Sequence, residues 1–332
     1  MRKKISMLLT AIAFIVLMTM MTTENVSAAS WNNYRGIKWS IDMASGQLTI
    51  APGEATGDYA AGDMGESIAS YECWSSRGGE VCKIVIEDGV TRIGNNAFDS
   101  MAKLKEVTIA DSVKTIGESA FALDYSDIGD KGYLTTIVLP NGLTTIGKNA
   151  FEDQGTLTGN LVIPDTVTSI GNYAFSGCDL NSATLPAGLT RVPNYLFYYN
   201  RNLASVNLPE GLAHIGSSAF SGCNALSNIT LPSTLKTIEG QAFTSTGLTG
   251  HITLPGVTSL GNEVFAYCTK LTGVTVSENL TTIGSKCFAN TAITEFSCPK
   301  SLELFAADAF VGAKSNSDYT NDYTSLKRLE FN

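Results

Sequence analysis

Phenylalanine, usually preceded by alanine, returns at Phe98, Phe121, Phe151, Phe175, Phe197, Phe220, Phe243, Phe265, Phe288 and Phe310. The intervals are 23, 30, 24, 22, 23, 23, 22, 23 and 22 residues. Around each ring the same letters recur, and Leu226–Phe243, LSNITLPSTLKTIEGQAF, shows the unit whole. A repeat this short cannot close a core by itself. It buries its apolar side only against the next copy, so the pattern demands a stack and outranks local propensity. The expected fold is a mainly β repeat solenoid, a curved stack of about ten turns with a parallel sheet. A length of 332 residues would otherwise suggest two globular domains.

Within a turn the first apolar set is Val81-x-x-Ile84-x-Ile86. It returns as Leu134/Ile137/Leu139, Leu180/Ala183/Leu185, Leu203/Val206/Leu208, Leu226/Ile229/Leu231 and onward to Leu326/Leu329/Phe331. Two turns carry one extra residue, at Leu157/Leu161/Ile163 and Leu248/Ile252/Leu254. The last two apolar places flank a polar one, so each turn is expected to hold a short strand with both inside. Proline often follows, as at Pro164, Pro186, Pro209 and Pro232, and ends the strand because it cannot donate to a ladder. A second pair comes next, such as Leu143/Ile146 or Leu235/Ile238. Glycine then stands at 94, 117, 147, 171, 216, 261 and 284, where a tight turn is expected to want positive φ.

The first residues do not repeat. Arg2, Lys3 and Lys4 precede an apolar run from Met7 to Met21, and Val26-Ser27-Ala28 follows, which reads as a secretory signal over 1–28. Residues 29–79 read as an N-terminal cap with a β-hairpin. There Ile37, Trp39 and Ile41 alternate, Ser45-Gly46 turns the chain, and Leu48 and Ile50 alternate again. Tyr59, Tyr71 and Trp74 are the expected cover for the first turn. The solenoid is assigned to 80–332. Removing 1–28 moves the formal charge from −9 to −11, which disfavours nucleic acid and other anionic partners. No second apolar run reaches membrane-spanning length, so no membrane insertion is expected after signal cleavage.

Seven cysteines cannot all pair. Cys178, Cys223 and Cys268 each stand three residues after a repeat Phe and two turns apart, roughly 10 Å, beyond disulfide reach. With Cys287 and Cys298 they read as small core residues. Cys73 and Cys82 fall outside these slots and leave a bridge open.

The words LTTIGKNAF, VTSIGNYAF and SGCNALSNITLP, with the lead-in WSIDMASGQLTI, resemble the BspA-like leucine-rich-repeat family of bacterial and protozoan surface proteins. The likeness spans about residues 36–332. It implies a curved parallel-β solenoid, adhesion to host proteins or other cells, and no catalytic residues.

The residues themselves agree with a non-enzymatic reading. His214 and His251 lie 37 residues apart in different slots, and no cysteine is placed to act with either as nucleophile and base. Asp124, Asp127 and Asp130 could supply oxygen ligands to calcium, but their spacing is not that of an EF-hand, and solvated loop acids are the plainer reading. No cofactor and no metal are expected.

Binding is better supplied. Outward positions of the strands form two rows rich in hydroxyl and amide groups, including Ser205, Asn207, Asn228, Thr230, His251 and Thr253. Threonine also favours strand faces for its own packing. A second candidate is NYLFYYNRN, where Tyr195, Tyr198, Tyr199 and Arg201 replace the usual small residues with side chains common at interfaces. Packing of these rings between adjacent turns is the competing reading. The chain is thus read as an exported scaffold for an extracellular protein or glycan. The alternatives are a structural matrix or envelope protein assembling by end-to-end self-association and, less favoured, an extracellular hydrolase.

Overall fold

The computed structural model describes residues 31–56, 60–65, 74, 79–123, 134–312 and 328–331. The signal segment, Tyr59, Tyr71, Cys73 and the loop with Asp124, Asp127 and Asp130 lie outside the described residues.

The described residues form a β-solenoid with no helix. Its spine is the predicted ring ladder. Successive phenylalanines from Phe98 to Phe310 stack with centroids 5.0–6.2 Å apart. The 30-residue interval between Phe121 and Phe151 leaves the ladder unbroken at 5.2 Å. Trp74 extends the ladder by one ring beyond Phe98, and Trp39 meets it edge-on. The Trp74 indole N–H donates to Ala97 O at 2.6 Å, so this otherwise apolar end piece keeps its polar atom satisfied.

Each turn has three sides. The first carries the strands of the Leu-x-x-Leu-x-Leu segment. Strand Gln47–Pro52 of the N-terminal hairpin pairs antiparallel with Ile37–Asp42 and parallel with Lys83–Ile86, so the hairpin and the stack share one sheet. The second side was not anticipated as a sheet. Two-residue strands such as Thr145–Ile146, His214–Ile215 and Thr237–Ile238 run in register along it, four in one group and six in the next. The third side is the Phe loop. There the N–H groups of alternate residues bond to the next turn, as Tyr195 to Ser217 O, Phe197 to Ala219 O and Tyr199 to Ser221 O, all within 2.8–2.9 Å.

The glycines that follow the second pair do not have positive φ. Their requirement is space. A Cβ on Gly117 would lie 2.6 Å from Asn95 N, one on Gly147 2.4 Å from Gly117 C, and one on Gly171 2.3 Å from Lys148 N. The left-handed backbone appears two residues later, at Asn96, Asn149, Tyr173, Tyr195, Ser218 and their equivalents (φ 50–62°). It recurs two residues after the ring, at Asp153, Gly177, Tyr199, Gly222 and Tyr267. These two reversals per turn swing the chain around the ring.

The position three residues after the ring carries a second ladder. Gln154, Cys178, Asn200, Cys223 and Cys268 are buried, and each side chain donates to the carbonyl of the previous turn's phenylalanine. The cysteines are therefore small core residues with a job: their thiols satisfy a buried oxygen. Cys287 and Cys298 are buried as well, whereas Cys82 is a partly exposed free thiol donating to Ser45 O.

The strand side is not continuous. The segments around Leu134/Ile137/Leu139 and Leu226/Ile229/Leu231, expected as strands, form none, although their leucines are buried. Each precedes a turn with the extra residue. That residue is absorbed at Gly159 (φ 84°) or Gly250 (φ 67°), and the latter is followed by a register shift in the pairing of Thr249–Leu254 with Lys270–Val276.

Candidate functional site

The ten residues singled out from sequence do not make one site. They lie on two sides of the solenoid.

On the strand side Ser205, Asn207, Asn228, Thr230, His251 and Thr253 are all exposed, as strand alternation requires once the leucines face in. Two clefts open on this side among the described residues. One, of about 340 Å³, is lined by Ser205, Asn207, Asn228 and Thr230 together with Ser182, Thr184 and Glu210. It lies where strand Ser205–Asn207 faces the unpaired segment Asn228–Thr230. The other, of about 420 Å³, is lined by His251, Thr275, Glu278, Glu295, Ser297 and Glu330 among others. It lies between strands Lys270–Val276 and Glu295–Cys298, which are neighbours without a ladder. Thr253 lines neither cleft. Both clefts therefore sit at seams of the sheet, where backbone groups that neighbouring turns bond to each other are left facing solvent. The His251 ring lies over Gly273, whose added Cβ would come 2.3 Å from Nδ1, and its Nε2 is 2.6 Å from Thr275 Oγ1. Neither cleft has a lysine or arginine in its lining, and the second is the more acidic.

On the Phe-loop side Tyr195, Tyr198 and Tyr199 are brought together by the two left-handed reversals of one turn. Tyr198 meets Tyr195 edge-on at 5.4 Å and Tyr199 at 4.3 Å. The Arg201 guanidinium lies over the Tyr199 ring at 5.6 Å. The sequence reading missed Tyr173, which stacks flat on Tyr195 at 4.3 Å and 5°. The signal was present: Tyr173 follows Gly171 by two, the slot that Tyr195 fills one turn later. Packing between turns is thus part of what these rings do, yet Tyr199 stays 47% exposed. Tyr267, in the slot of Tyr199 three turns on, is 52% exposed.

One turn before Tyr173 stand Glu152 and Asp153. Burial, the neighbouring Asp153 charge and a weaker opposing pull from Lys148 leave the Glu152 carboxyl raised to about 7. Burial also raises Asp153. The Tyr173 phenol is raised by burial and by Tyr195, and burial with the adjacent Tyr199 hydroxyl pushes Tyr198 up to about 12. Asp153 folds over Gly177 of the next turn and Tyr199 over Gly222; a Cβ on either glycine would meet those side chains at 2.2 and 2.7 Å. Among the described residues no group of three or more His, Cys, Asp or Glu is placed to hold a metal ion.

A family model for the BspA type leucine rich repeat region matches the sequence in six copies, over residues 67–128, 129–225 and 190–317. Among solved structures, a leucine-rich repeat protein from Bacteroides ovatus is 22% identical, with 91% of this chain and 89% of that one covered at a TM-score of 0.58. A leucine rich cell surface protein from Faecalibacterium prausnitzii is 21% identical over 92% and 95% of the two chains, with a TM-score of 0.42. A leucine-rich repeat protein from Eubacterium ventriosum is 22% identical over 87% and 96%, at 0.41. At these identities the likeness is one of fold. No curated protein matches the sequence.

Proposed function

The chain belongs to the BspA-type leucine-rich-repeat proteins, and from that premise we propose that it is an exported, adhesin-like scaffold holding an extracellular protein or glycan on its strand side. The observation that carries this reading is the coincidence of both clefts with the interruptions of the strand ladder. A smooth, fully bonded sheet offers a ligand only side-chain tips. A seam offers backbone donors and acceptors as well, within a depression lined by hydroxyl and amide groups. The two seams are three turns apart, roughly 15 Å, so a ligand reaching both is an extended polymer rather than a small metabolite.

Export is part of the proposal. It rests on the segment 1–28, with its basic start, apolar run and Val26-Ser27-Ala28. No helix among the described residues is long and apolar enough to cross a membrane. The scaffold needs no catalytic step, cofactor or metal to act in this way.

The test is binding of dilute chain lacking residues 1–28 to an immobilised panel of matrix proteins and oligosaccharides. Ser205→Arg/Asn228→Arg fills the first cleft and is expected to abolish whatever binding the unaltered chain shows. Tyr198→Ala/Tyr199→Ala is expected to leave it within twofold. Loss in the tyrosine variant alone would move the ligand off the strand side and sink the proposal.

A further inference from the structure

The Phe-loop side carries a second, independent feature: a strip with unlike ends, neither in an ion pair among the described residues. At one end Glu152 and Asp153, both half-buried, make no ion pair among the described residues; Lys148, the cation whose charge acts on Glu152, lies 3.6 Å from Glu118 instead. At the other end Arg201 makes no ion pair among the described residues and rests on the Tyr199 ring. Between them lie Tyr173 and Tyr195, stacked, with Tyr198 edge-on. The order along the axis is set by the turns. Glu152 follows Phe151, Tyr173 precedes Phe175, and Arg201 follows Phe197, so the ends are two turns or roughly 10 Å apart with Tyr173 midway.

We propose that this strip is a two-fold interface on which a second copy of the chain docks side by side and antiparallel, each Arg201 meeting the partner copy's acidic end. A two-fold axis through the Tyr173 turn does this for both ends at once, because in an isologous contact residue i meets j and j meets i. Glu152 and Asp153 gain a cation that the described residues do not supply, and Arg201 gains a carboxylate while keeping its ring. The tyrosines between them provide rigid amphipathic area at small entropic cost. No other partner class satisfies both ends by symmetry alone.

The strip holds about six large side chains, which places it among small interfaces and predicts a dissociation constant on the order of micromolar rather than nanomolar. A dimer of this kind would present two strand sides at once, and paired weak sites gain avidity without new contacts.

Sedimentation equilibrium of the full mature chain at pH 8, over a hundredfold concentration range, tests the proposal. The expected result is a monomer–dimer equilibrium. Arg201→Glu and, separately, Glu152→Arg/Asp153→Arg should each be monomeric, and an equimolar mixture of the two should dimerise again, since one contact is then that of the unaltered chain and the other is restored with its charges exchanged. The mixing arm also shows that each variant is folded. Lowering the pH to 5.5 should weaken the dimer of the unaltered chain at least tenfold. Glu152 faces Asp153 and Lys148 on its own turn and Tyr173 on the next, and its protonation removes a charge that Arg201 meets. A chain that stays monomeric throughout, or a dimer indifferent to Arg201→Glu, would overturn the proposal.

Discussion

The thiol of Cys223 donates to the backbone oxygen of Phe197, one turn earlier, at 3.2 Å. Asn200 does the same toward Phe175 at 2.7 Å, and Gln154 toward Phe121 at 2.6 Å. One slot, filled by chemically different residues, thus stitches several ring carbonyls to the following turn, whereas Thr246 and Thr291 in the same slot bond the carbonyl of their own ring. Asn200→Leu should cost about 1–3 kcal/mol, the usual penalty for leaving a buried acceptor unpaired. Asn200→Cys, which borrows the residue of the flanking turns, should cost less than half of that. Urea unfolding midpoints of the three chains check the order.

The same burial governs thiol reactivity. Cys178, Cys223 and Cys287 are pushed well above the ordinary thiol range by loss of solvent, and Cys268 up to about 11 despite the opposing Thr246 bonds. The thiolate is the reactive species. At pH 8 an aromatic disulfide reagent should label Cys82 in the native chain and leave the five buried cysteines untouched until denaturant is added. Labelling of Cys223 in the absence of denaturant would contradict the packing.

The glycines separate into two kinds with opposite sensitivities. Gly147→Ala drives a Cβ to 2.4 Å from backbone of the adjacent turn and should lower stability by more than about 3 kcal/mol or prevent folding. Gly250→Ala keeps a left-handed φ of 67° but meets nothing within 4 Å, so it should cost about 1–2 kcal/mol. Thermal midpoints of the two variants should differ by several degrees in that order.

Glu152 provides a pH signature. Its folded carboxyl titrates near 7 against 4.5 when free, chiefly because burial disfavours the charge. A raised acid opposes folding once ionised. The penalty is absent below about pH 4.5, grows as pH rises, and is complete above about 7. Glu152→Gln should therefore raise the melting temperature at pH 8 and leave it nearly unchanged at pH 4.5, measured at protein concentrations low enough to keep the chain monomeric. An equal gain at both pH values would mean that ionisation is not the cause.

What could be read from the letters, and what could not, follows from physics. The ring spacing was legible because an apolar residue at a fixed interval has only one economical use, and the stacking of Phe175, Phe197 and Phe220 bears it out. The roles of Gly147 and Gly171 were misread, since glycine answers equally to positive φ and to crowding, and only coordinates tell the two apart. The seams were half visible: the extra residue near Gly159 and Gly250 could be counted, but its effect on the preceding turn depends on strand spacing. Tyr173 escaped notice because single tyrosines are unremarkable in text. Its stack on Tyr195 requires knowing that Gly171 and Pro193 occupy equivalent places, which the Pro-for-Gly change concealed.

The account of function turns on the seam at residues 228–231, and amide hydrogen exchange of the free chain examines it most directly. The amides of Asn228, Ile229 and Thr230 should exchange at least a hundredfold faster than those of Ala183 and Val206 in the bonded ladder beside them, and should slow when a polymer from the binding panel is present. Protection of 228–230 equal to that of the neighbouring strands before any ligand is added would mean that the sheet is closed there and that the strand side has no such cleft.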